Sequence, residues 1–295
     1  MSALARADFI PWSLSEAVVS DLVRKGAHQF DSPLSPTGCG ELLGEIRATR
    51  RFDDSLFLSQ AEFAAAPARG VQGPKRGCNL LERLEPRLGF VERAPQVVEA
   101  LWSLLGPDYR ILDKRVVCAL PAAALPAWVA RRAQDGPIED LCAYVRPGLR
   151  DISYSLGGEF RQDFGELSDY GADVVTLQVY LHPVAQGDAP LQLLEGSHRM
   201  GRAVCPPDLK RTGAAAWRYR NGDHGEMYLT ERTLTGEAGS AAVWHACLLN
   251  GAAPAVEHPR LSLRYLIARG GAKTAGINAV NASLAGSGRI TALRD

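Results

Sequence analysis

The sequence predicts a mainly β fold with flanking α-helices, an antiparallel double-sheet barrel that carries its helices on one side. Three observations lead there. Helical periodicity dominates the first third, short alternating or β-branched runs take over from about residue 108, and the connections between those runs are long and irregular. Neither an internal repeat nor a low-complexity linker divides the 295 residues. One domain over 1–295 is therefore expected, with a helical part to about 107, a β core over about 108–270 and an irregular tail over 271–295.

The elements follow in order. In "SPTGCGELLGEIRATRR", Ser35 or Thr37 can cap a helix on which Leu42, Leu43 and Ile46 share a face. In "APQVVEALWSLLG", Val97, Val98, Leu101, Leu104 and Leu105 form an apolar stripe and Gly106 is the stop. Strands are then predicted from "YRILDKRVVCAL", "DISYSL", "DVVTLQVYLHP", "SAAVWHACLLN" and "RLSLRYLIAR", each bounded by Gly, Pro or Asp.

Two of these strands carry polar faces. Thr176, Gln178, Tyr180 and His182 share one side, and Leu177, Val179 and Leu181 the other. The polar side is either a wet outer surface or a cavity lining, and alternation alone does not choose. Inward placement would let Tyr180 and His182 move protons. In "RLSLRYL", Arg260, Ser262 and Arg264 alternate with Leu261, Leu263 and Tyr265, so the polar set can share a face. Arg264 either joins that face or ends the strand in solvent. The stretch 121–148 is too long for a turn and reads as a surface excursion or as a cover over the barrel mouth. As a cover, it should be needed for ligand binding and not for folding.

Composition narrows the partners. Lys plus Arg and Asp plus Glu both number 33, so no global field favours nucleic acid or a membrane surface. No apolar run reaches a membrane span. The six cysteines are scattered without a C-x-x-C pair, which argues against a zinc site or a disulfide framework. "MSALARADFIPWS" lacks the continuous apolar core of a signal peptide, and a cytoplasmic setting is expected.

Five stretches in order carry a resemblance. They are "VRKGAHQFDSPLSPTGCGELLGEI", "LWSLLGPDYRIL", "RQDF", "APLQLLEGSHRMG" and "GSAAVWHACLLNGAAPAVEHPRLSLRYLIAR". Over roughly residues 20 to 270 the chain resembles the phytanoyl-CoA dioxygenase family of the iron(II)/2-oxoglutarate-dependent oxygenases. The resemblance implies a double-stranded β-helix core, of the jelly-roll, cupin-like kind. It also implies a His-x-Asp and distal His iron triad, with an Arg for the far carboxylate of 2-oxoglutarate. By position these fall on Arg161, Asp163, Asn250 and Arg260, so both histidines are replaced. His245 lies on the opposite strand face from Asn250, and His258 is too near Arg260. His198 matches a position not used for metal, and His28 and His224 have no ligand spacing.

Arg is a permanent cation with no acceptor, and a side-chain amide offers only a weak carbonyl oxygen. Arg161 is expected to pair with Asp163 and to fill the metal's volume with positive charge. Restoring both histidines should then recover iron binding. The expected cofactor set is none, with iron(II) and 2-oxoglutarate required only if the chain is a hydroxylase with unusual ligands. The expected partner is an anionic small molecule of secondary metabolism. Asp163, Arg161, Asn250 and Tyr180 would do the chemistry, and Arg260, Ser262, Gln178, Thr176, His182 and Arg264 would bind substrate. A non-catalytic subunit paired with an active relative, or a homo-oligomer, is the further alternative.

Overall fold

The computed structural model describes residues 13–65, 73–74, 77–135, 141–163, 174–203, 207–222 and 225–270. The helical third holds α1 (Ser13–Arg24), α2 (Pro36–Thr49), α3 (Gln60–Ala65), α4 (Leu80–Arg83), α5 (Gly89–Glu92) and α6 (Pro95–Leu105). Ser35 caps α2 by accepting from the Gly38 amide at 3.1 Å, with Pro36 at the first helical position. Leu42, Leu43 and Ile46 are buried as their spacing requires. On α6 the buried face is Val97, Ala100, Leu101 and Leu105, while Val98 and Leu104 are only half-buried. The helix stops at Gly106, whose φ of 87° only glycine adopts without strain.

The strands are β1 (Ala27–Gln29), β2 (Arg110–Ala119), β3 (Ser153–Ser155), β4 (Val174–Tyr180), β5 (Leu191–Glu195), β6 (Asp208–Arg211), β7 (Ala216–Arg220), β8 (Glu226–Leu234), β9 (Ala241–His245), β10 (Asn250–Ala252) and β11 (Arg260–Ala268). They form a six-stranded sheet, β1-β9-β4-β11-β2-β3, and a five-stranded sheet, β10-β5-β8-β7-β6. Pairing is antiparallel except between β2 and β3. The core is a double-stranded β-helix. The outer sheet strands β6 to β8 were not among the strands read from sequence. Their runs "DLKR", "AWRYR" and "EMYLTERTL" are short and charged, so the apolar alternation that marks a half-buried strand is faint.

The central strands decide where polar groups go. Val175, Leu177, Val179 and Leu181, with Leu261, Leu263, Tyr265 and Ile267, join the apolar core shared with the helices. The alternate residues therefore face between the two sheets. There Thr176, Gln178, Arg260, Ser262 and Arg264 are all buried. Arg264 is thus neither exposed nor at a frayed strand end. It stands opposite Gln178 on β4 and Arg115 on β2.

The stretch 121–148 includes one further helix, α7 (Ala127–Asp135). Its residues 136–140 lie outside the described residues, as do the tail 271–295 and His224. The stretch is not a detachable cover. Leu125, Val129, Leu141, Cys142 and Val145 are part of the main core. Among the described residues no helix is long and apolar enough to cross a membrane.

Candidate functional site

A cavity of about 450 Å³ opens between the inner faces of β4, β9 and β11, the segment before Asp163, and the stretch 121–148. That volume suits a small organic ligand. One wall is apolar, with Leu120, Leu125, Leu141 and Leu156, and the other end is polar, with Asp163, Gln178, Arg260 and Arg264. From α7, Ala130, Ala133 and Gln134 face the cavity, so the inserted stretch roofs it as well as contributing to the core. Gly157 makes the wall possible. At φ 76° a Cβ there would lie 2.5 Å from the Ala253 carbonyl oxygen, where the wall closes on the end of β10.

Asp163 is the centre of the polar end and is 2% exposed. Its Oδ1 receives Nη2 of Arg264 at 2.6 Å. Its Oδ2 receives Oγ1 of Thr176 at 2.7 Å and Nε1 of Trp244 at 2.9 Å. Three strands thus each send one donor to a single carboxylate. The expected Arg161–Asp163 pair does not form. Arg161 is exposed, and among the described residues its guanidinium has no ion-pair partner. The physical reason is local geometry. Arg161 makes a backbone bridge to Asn250 (N to O 2.8 and 2.9 Å), and the chain then leaves the extended form before Asp163. Arg161 and Asp163 both still line the cavity, but Arg161 stays solvent-exposed while Asp163 is buried. Asn250 spends its Nδ2 on the carbonyls of Arg161 (3.1 Å) and Leu248 (3.2 Å).

Arg260 is the second feature. It is 2% exposed and has no acidic partner among the described residues. Burial in this apolar setting pushes its pKa down, against the electrostatic pull of Tyr180 and Cys118. Nη1 donates to the Ala189 carbonyl, and the guanidinium lies 5.8 Å from the Tyr180 ring centroid. Ala189 holds a φ of 55°, a strained setting for a residue with a Cβ. Nε of Arg260, Oγ of Ser262 and Nε2 of Gln178 are buried without a hydrogen-bond partner. Buried donors left unpaired are costly, and Arg260 and Gln178, which both line the cavity, point to an acceptor-bearing ligand there.

Other candidates are committed elsewhere. The Tyr180 hydroxyl donates to the Leu234 carbonyl at 2.7 Å and accepts from the Leu191 amide at 2.9 Å. Both roles are structural, so the phenol is not placed for proton transfer in the cavity. His182 accepts the Leu261 amide on Nε2 (2.9 Å) and directs Nδ1 to the Pro183 carbonyl (2.8 Å), outside the cavity lining. Those partners fix the neutral tautomer, and burial pushes the imidazole pKa down. His245 packs against His198 with ring centroids 5.7 Å apart, and His258 is exposed beside Glu257. His28 faces Asp21 at 3.0 Å. Trp244 was missed from the sequence. Its signal was the alternation that sets it with Ala242 against Val243, together with an indole N–H that needs a partner when buried.

No family model matches the sequence, and no curated protein matches it. Solved structures do. The non-heme alpha ketoglutarate dependent epimerase SnoN from nogalamycin biosynthesis aligns with a TM-score of 0.51 at 14% identity, over 87% of this chain and 83% of that one. SnoN in complex with Fe3+, alpha ketoglutarate and nogalamycin RO gives 0.50 at 15% identity, over 87% and 84%. EctD from S. alaskensis in its apo form gives 0.48 at 12% identity, over 91% and 80%. The fold of this chain is therefore that of the cupin-like, 2-oxoglutarate-dependent non-heme enzymes.

An iron centre in that fold takes two imidazoles and a carboxylate. Among the described residues no three His, Cys, Asp or Glu side chains converge. At the positions the resemblance assigns stand an exposed guanidinium, an amide with its nitrogen engaged, and a carboxylate already holding three donors. This donor set does not fit iron. Arg260 and Ser262 do fit a carboxylate.

Proposed function

We propose that the chain is a phytanoyl-CoA dioxygenase-like protein whose cavity binds an anionic small molecule of secondary metabolism and acts on it without iron. The observation that carries this reading is a fully buried Arg260 with no counter-charge among the described residues, beside an Asp163 whose oxygens are both engaged. A buried guanidinium is costly unless an anion reaches it, so the cavity is built to be completed by one. The likeness in fold to SnoN, an epimerase from nogalamycin biosynthesis, supports a small-molecule substrate of similar biosynthetic origin. Without iron, the compatible reactions are those that need no oxidant: isomerisation, elimination, cyclisation or hydrolysis.

The test is ligand binding in the presence of a chelator. A panel of carboxylates, 2-oxoglutarate included, is screened by thermal shift and calorimetry on wild type and Arg260→Gln. At least one should bind the wild type, and Arg260→Gln should weaken it about tenfold or more, as expected for a lost charge-assisted pair of about 1.5–3 kcal/mol. Binding that depends on added metal, or no carboxylate binding at all, refutes the reading.

One observation favours a second reading, a hydroxylase using iron(II) and 2-oxoglutarate with unusual ligands. Arg260, with Nε unpartnered, stands where the resemblance seats the co-substrate carboxylate. Iron-dependent, oxygen-coupled consumption of 2-oxoglutarate would establish it. Co-purification with a related subunit, with no ligand stabilising the isolated chain, would instead indicate a non-catalytic partner.

A further inference from the structure

We propose that Arg264 is a built-in cation filling the metal seat of this fold, and that Arg264, rather than Arg161 or Asn250, closes the seat to iron. The inference rests on the metal-free reading above and names the residue that enforces it.

Placement comes first. Arg264 is on the inner face of β11 and lines the cavity together with Asp163, Trp244 and Asn250. Its Nη2 meets Asp163 Oδ1 at 2.6 Å, with the two side chains 11% and 2% exposed. Its strand neighbour Arg115 does not compete for that carboxylate. Arg115 has its own acid, Asp113, with Nη2 to Oδ2 at 2.5 Å. Arg161, the residue the iron-ligand position assigns, lines the same cavity but is solvent-exposed and makes no ion pair with Asp163 among the described residues.

The chemistry follows from that placement. A metal needs a lone pair from Asp163 and a nearby volume free of positive charge. A carboxylate has about four lone-pair sites. Three are taken here by donors from β4, β9 and β11, each at 2.6 to 2.9 Å. The donor on Oδ1 is a guanidinium, which cannot shed its proton at any pH the protein survives. A dication bound to either oxygen would meet that charge at close range in a site shielded from water, where repulsion is poorly screened. Supplying imidazoles at 161 and 250 does nothing to remove it. The simple repair of both histidines therefore falls short.

The experiment uses the full chain in four forms: wild type, Arg161→His/Asn250→His, and that double with either Arg264→Met or Arg264→Lys. Each is loaded anaerobically with iron(II), desalted and analysed for metal, with circular dichroism and thermal melts reporting the fold. The double and the Lys triple should stay metal-poor, whereas the Met triple should hold at least about tenfold more iron, the scale of effects that neighbouring groups have on metal sites. The Met triple should also melt at a higher temperature with metal than without, a shift absent in the double. If the Met triple does not fold, Arg264→Gln, which keeps a donor to Asp163 without the charge, takes its place under the same expectations. Iron near one equivalent in the double overturns this inference while leaving the wild type metal-free. A folded Met or Gln triple that stays metal-poor overturns it too. Iron near one equivalent in the wild type overturns both this inference and the metal-free function.

Discussion

At the scale of single residues, Asp163 shows how three strands can hold one buried carboxylate. Its Oδ2 relies on Thr176 and Trp244, and both donors are neutral and fully buried. Trp244→Phe or Thr176→Val should each cost about 1–3 kcal/mol, because a buried acceptor loses a donor it cannot replace with water. Denaturant titration of each variant reads this directly, and an unchanged midpoint would mean the bond contributes nothing. Arg260 should behave in the opposite way. It is buried with no opposing charge among the described residues, so Arg260→Met should leave stability unchanged or raise it while removing carboxylate binding. A loss of several kcal/mol in unliganded Arg260→Met would make the residue structural.

At the scale of elements, the stretch 121–148 has two faces with different duties. Val129 and Cys142 belong to the main core, while Ala130 and Ala133 of α7 line the cavity. Val129→Ala should therefore destabilise the fold by about 1–3 kcal/mol. Ala133→Phe should spare stability by comparison and weaken ligand binding, since the new ring projects into the cavity rather than the core. Melting temperature and ligand affinity measured on both variants separate the duties. Equal loss of affinity with no loss of stability in Val129→Ala would refute the division. The sequence showed this stretch as an element without a simple turn, but not its second face. Length is legible in a sequence, whereas burial against strands far away in the chain is not.

At the scale of the whole molecule, acid sensitivity follows from half-buried histidines. Desolvation holds His182 and His198 below the ordinary imidazole value of 6.5. The unfolded chain then binds protons more readily than the folded one as pH drops below about 6.5. Their contribution is complete above 6.5 and is lost as pH falls from there toward the depressed folded values. Urea midpoints at pH 7.5, 6.5 and 5.5 should decline, and a His182→Gln/His198→Gln variant should show a shallower decline. An identical slope in the variant would assign the acid sensitivity elsewhere.

The sequence by itself determined the order of helices and central strands, the two faces of β4 and β11, and the residue types that stand at 161, 163 and 250. Each of these is carried by local periodicity or by residue identity, which a linear chain displays. It could not determine which arginine meets Asp163. Arg161 is two residues away and stays solvent-exposed, while Arg264 is 101 residues away and closes the pair. Only the tertiary structure decided that, because strand order in the six-stranded sheet sets β11 beside β4, and side-chain charge pairs by distance in space rather than along the chain.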